Sequence, residues 1–170
     1  MSLPDFTHPA IAVFYSIFGA AVALGWVLGG KPERCGALTL ASIFSVQLIL
    51  YSTISDPTFD EIDFVGVITD AIGLLGFTAI ALSANRIWPL FAAAMQLIAV
   101  LAHLTHGFRP MLGQSYVDFE AYPTAFVTLC VIGGVAMHRY RLKKYGHDRD
   151  WVPFKKYQEY RALAQETEQF

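Results

Sequence analysis

Two histidines stand three residues apart in LAHLTHGF, residues 101–108, near the end of an apolar run. An aspartate, Asp70, interrupts another apolar run in VITDAIGLLG. Imidazole and carboxylate can pass a proton, share a divalent metal, or simply hydrogen-bond to each other. Which of these applies depends on whether the helices that carry them bring them together.

The surrounding chain defines those helices. Of its 170 residues, 55% are hydrophobic and only 15% are charged. A soluble domain carries about a quarter charged residues. The excess is gathered into runs of roughly twenty residues, the length that crosses ~30 Å of hydrocarbon at 1.5 Å per helical residue. The expectation is an all-α, polytopic membrane bundle occupying residues 1–144, with spans at about 9–29, 35–54, 64–83, 88–107 and 123–138. Pro9, Pro89 and Pro123 each stand where a helix would begin, a position at which the missing N–H costs nothing. The first span is too long and wrongly flanked for a cleavable signal peptide, so it is kept as structure.

Basic residues orient the bundle. Lys31 and Arg34 lie in the first connection and Arg86 in the third. Arg139, Arg141, Lys143, Lys144, Arg149, Lys155, Lys156 and Arg161 follow the last span, and only Arg109 falls on the opposite side. The N-terminus is therefore expected outside and the C-terminus in the cytoplasm, in a multi-pass protein of the cell inner membrane. The second connection, SDPTFDEIDF, is acidic, as an outward loop can be, and the fourth, GFRPMLGQSYVDFEAYP, is long enough to fold over the outer mouth. Cys35 and Cys130 fall at different depths and are expected as buried thiols rather than as a disulfide.

With this orientation, Asp70 lies roughly ten ångströms inside the outer face, counting about 1.5 Å per residue from Asp63. His106 falls at the outer interface, and His103 about one turn deeper. Gln47 and Tyr51 on the second span, and Tyr15 on the first, reach a similar level. On the third span Gly66, Asp70, Gly73 and Phe77 share a stripe, and on the fourth Ala92, Gln96, Ala99, His103 and His106 do. These two stripes should face each other across a tight turn, with Asp70 approaching His103 directly or through water.

Four readings of that layer follow, in descending order of weight. The first is a packing hydrogen bond that fixes helix register, worth ~0.6–2 kcal/mol. The second is a proton or cation site open to the outside. The third is a metal held by His103, His106 and Asp70, although HLTH lacks the glutamate of the metalloprotease motif H-E-x-x-H. The fourth is a tetrapyrrole. Ala99 and His103 give A-x-x-x-H, which is similar to the chlorophyll-ligating fragment of light-harvesting polypeptides and implies a ligand on His103. Those antenna chains have a single span, unlike this five-span one. A bis-histidine haem would need a second histidine at matching depth, whereas His138 lies at the inner interface and His8 lies outside. No resident cofactor is expected from the sequence; metal and tetrapyrrole are its minor alternatives.

The remainder, residues 145–170, reads as a cytoplasmic amphipathic tail. Trp151, Phe154, Tyr157 and Tyr160 supply an aromatic side and Lys155 and Lys156 a basic one, suited to the anionic inner leaflet or to a partner protein. There is no glycine-rich phosphate loop and no nucleophile elbow, and nucleic acid is not an expected partner. The leading functional expectation is thus a non-enzymatic accessory or assembly subunit of a larger bacterial inner-membrane complex, with lipid and other membrane subunits, or further copies of itself, as partners. The alternative is a small transporter or membrane enzyme built on Asp70, His103 and His106.

Overall fold

The computed structural model describes residues 9–53, 64–104, 114–148 and 151, with side chains from residue 12, up to residue 103 and again from residue 122 in the three longer stretches. The described residues form five α-helices and no strand: α1 (Pro9–Leu28), α2 (Lys31–Thr53), α3 (Phe64–Ser83), α4 (Trp88–Leu104) and α5 (Gln114–Tyr145). Each helix packs on the next, and α5 returns to α1 to close a ring. The α1–α2 and α3–α4 turns are short, which makes those neighbours antiparallel. Both turns and the C-terminal part of α5 lie at one end of the ring, termed here the basic end.

Two of the helices, α2 and α3, are long and apolar enough to cross a membrane, and the apolar parts of α1 and α4 are shorter. Large apolar side chains cover much of the described perimeter, and a few polar ones are buried within a core that is otherwise apolar. The perimeter carries Val13, Ile17, Val27, Ile49, Phe64, Leu75, Leu82, Leu90, Phe91 and Leu129 exposed, while Glu33, Gln96, Thr128, His103, His138 and Arg86 are buried. Hydroxyl groups within the helices bond back to carbonyls one turn earlier, as Thr69 does to Val65 at 2.9 Å and Thr39 to Cys35 at 3.0 Å.

Glycines set how closely the helices approach. The indole of Trp88, at the start of α4, is the widest ring in the core. It sits edge-on to Phe77 of α3, with centroids 6.2 Å apart. A Cβ on Gly36 of α2 or on Gly134 of α5 would come within 2.6 Å of that indole, so both glycines are places where the ring has displaced any side chain. On α3, a Cβ at Gly73 would meet the Gln96 amide nitrogen at 2.5 Å. The α3 and α4 stripes thus interlock along their length, Asp70 against His103, Gly73 against Gln96 and Phe77 against Trp88.

The fifth helix departs from expectation. Pro123 does not begin it: α5 starts at Gln114 and runs through the proline. Pro123 lacks the N–H that would bond the carbonyl of Phe119, and one such gap is tolerated in a helix held by its neighbours. The segment from Gln114 to Tyr122 therefore belongs to helix rather than to the long fourth connection. The second helix also begins earlier than its apolar run, at Lys31, with Pro32 and Glu33 in its first turn. Cys35 and Cys130 are free thiols.

Candidate functional site

The carboxylate–imidazole pair lies at the end opposite the basic one. Asp70 projects from the second turn of α3 and His103 from the last turn of α4, with Oδ2 3.1 Å from Nε2. Their side chains are only 15% and 8% exposed. An ionised carboxylate only accepts, so in that state the ring's Nε2–H is the donor. Gln47 and Tyr51 are half-buried on α2 and continue the helical stripe that begins with Glu33 and Leu40. Tyr15 packs edge-on against Phe44, with centroids 5.7 Å apart, and lines an outward-facing groove between α1 and α2.

Small residues, Gly19, Ala23, Ala41 and Ser45, line that groove together with Tyr15, Phe18, Val22 and Phe44. Gly19 is open, since a Cβ there would meet no atom within 4 Å. Ser16, Ala20 and Ser42 are exposed beside it.

A second polar cluster, at the basic end, was not among the expected site residues. The Glu33 side chain is 0% exposed and its Oε1 accepts from Trp88 Nε1 at 3.2 Å and from Arg86 Nε at 3.3 Å. The other edge of the Arg86 guanidinium donates to Asp148 Oδ2 at 2.6 Å. His138 Nδ1 reaches the same oxygen at 2.7 Å, and Arg141 lies 3.9 Å from Oδ1. Glu33 Oε2 has no hydrogen-bond partner among the described residues.

Local folding explains how these groups converge. Gly146 closes α5 with φ at +72°, its N–H bonding the Leu142 carbonyl at 2.9 Å. This left-handed closing turn favours glycine. It reverses the chain so that Asp148 returns under the ring to meet Arg86 and His138. Trp151, expected on the aromatic side of the tail, is half-buried and packs against the core. Arg86, read from sequence as an orientation charge, is instead 9% exposed and held between two carboxylates. The available signal was Glu33, an acid in a connection otherwise basic.

Chemically, the two clusters differ. The basic-end cluster consists of charges already paired with one another, which suits a structural clasp. The Asp70–His103 pair could fix register or relay a proton. Among the described residues no group of three or more histidines, cysteines or acids is placed to hold a metal. His106, the third member of the expected metal set, lies outside the described residues, as do Phe154, Lys155, Lys156, Tyr157 and Tyr160 of the tail. No protein-family model, curated protein or solved structure matches the chain, so its residues alone carry the functional reading.

Proposed function

We propose that the chain is a multi-pass protein of a bacterial inner membrane and serves there as an accessory or assembly subunit of a larger complex. The membrane placement is supported by the many large apolar side chains exposed on the perimeter and by polar groups, Asp70 with His103 and Glu33 with Arg86 among them, that turn inward instead. Lipid cannot satisfy a polar group, so such groups turn towards the bundle interior. The subunit role rests on one observation, the groove between α1 and α2, lined in part by small residues. Helices associate in lipid where small residues allow backbones to approach, and a stripe of Gly, Ala and Ser on the perimeter suits a partner helix better than acyl chains.

Bulk introduced into the groove tests the role. Gly19→Leu together with Ala23→Leu fills it without touching the ring interior. The pair is expected to leave the chain membrane-inserted but to release it from its complex in a native gel of gently extracted membranes. Unchanged migration of the complex would count against the groove as a docking face.

A second reading is favoured by the 3.1 Å contact of Asp70 and His103. In it the pair is a proton or cation site of a small transporter. Asp70→Asn keeps shape and removes charge, so it separates the two. A subunit whose pair merely fixes register keeps its partners, whereas a proton site loses ion movement in reconstituted vesicles.

A further inference from the structure

At the basic end the charges are sorted by exposure. The acids, Glu33 and Asp148, face inward to Arg86, Trp88 and His138, while Lys31, Arg34, Arg139, Lys143 and Lys144 are exposed. Their positions around the helices are not uniform. Gly25 of α1 marks where α1, α2 and α5 meet, because a Cβ there would lie 2.9 Å from Ala37 Cβ and 3.5 Å from Val131 Cγ1. On α2, Arg34 continues the row of Ala37, Ala41 and Ser45, the flank that faces α1. On α5, Arg139 and Lys143 follow Val131 and Val135 at four-residue spacing, a row that turns about 40° per step from the place where Val131 meets α1 beside Gly25 out to the surface. Between these two flanks α1 ends in Trp26, Val27 and Leu28, all exposed.

We propose that the last turn of α1, between Arg34 on one side and Arg139 and Lys143 on the other, is a binding site for an anionic phospholipid. Acyl chains lie along Trp26, Val27 and Leu28, and the headgroup phosphate accepts from the flanking guanidinium and ammonium groups. Arginine is the better phosphate partner because its planar fork can bond two phosphate oxygens at once. Lys144 is not part of the site. Its ammonium sits 5.7 Å and 5.1 Å from the ring centroids of Tyr140 and Tyr145, and its α5 position points away from α1.

The site rests on the membrane reading, and the test is arranged to separate the two. Source membranes are first washed with alkaline carbonate, which strips peripheral proteins. A chain released by that wash overturns the membrane reading and the lipid site with it. A retained chain is then purified and titrated with phosphatidylglycerol or phosphatidylcholine of the same acyl composition, with bound lipid counted by native mass spectrometry. Each cation near an anionic headgroup contributes a roughly fivefold preference, so the wild type is expected to favour phosphatidylglycerol by about tenfold or more. The triple variant Arg34→Gln, Arg139→Gln, Lys143→Gln, all at exposed positions, should lose that preference while Lys144→Gln keeps it. Equal binding of the two lipids by the wild type overturns the site. So does an equal loss in Lys144→Gln, which would mean diffuse charge rather than a site between two flanks.

Discussion

Glu33 and Asp148 are buried carboxyl groups that Arg86 bridges, with His138 and Arg141 as further partners of Asp148. Removing one partner of such a pair strands the other, at a cost of about 3–5 kcal/mol. Glu33→Ala leaves both Trp88 Nε1 and Arg86 Nε without their acceptor, whereas Glu33→Gln keeps an oxygen in that place. The alanine variant is therefore expected to unfold at markedly lower temperature than the glutamine variant, in thermal melts of the detergent-purified protein. Similar melting of the two would mean that Oε1 is not the atom that matters. At the other end the expectation is milder. His103→Gln should cost only ~0.6–2 kcal/mol if the contact with Asp70 serves register alone, as measured by the same melts.

Among the elements, α5 and the turn that ends it depend on single glycines. Gly133 and Gly134 are adjacent, yet only Gly134 faces Trp88; a Cβ on Gly133 would meet nothing within 4 Å. Gly134→Val should push the indole off Glu33 and destabilise the bundle by roughly 1–3 kcal/mol. Gly133→Ala should be neutral or stabilising by up to about 1 kcal/mol through helix propensity alone. Tryptophan fluorescence and melting temperature read both, and equal effects would contradict the placement of Trp88. The same helices show what could be read from sequence. The bounds of α3 at residues 64 and 83 and the start of α4 at residue 88 follow from the apolar runs and the turn between them. Hydrocarbon length is not helix length, however, and α5 extends well past its apolar run at both ends, over polar and charged residues. The meeting of Asp70 and His103 was legible because both sit on stripes of consecutive helices. The Glu33–Arg86–Asp148 cluster was not, because its members are 53 and 62 residues apart and individually resemble connection charges.

As a whole molecule, the bundle holds a few polar groups within an apolar core and exposes many large apolar side chains, and its surface is broken by the groove between α1 and α2. The clasp at the basic end ties α2, one wall of that groove, to α4, α5 and the returning chain. A groove open to the outside is what the proposed subunit role needs to seat a neighbouring helix. The most direct test is the native mass of the protein extracted gently from its own membranes. Other chains co-extracted in fixed ratio are the predicted result. A lone chain or a simple homomer would contradict the subunit role and leave the Asp70–His103 pair as the basis of function.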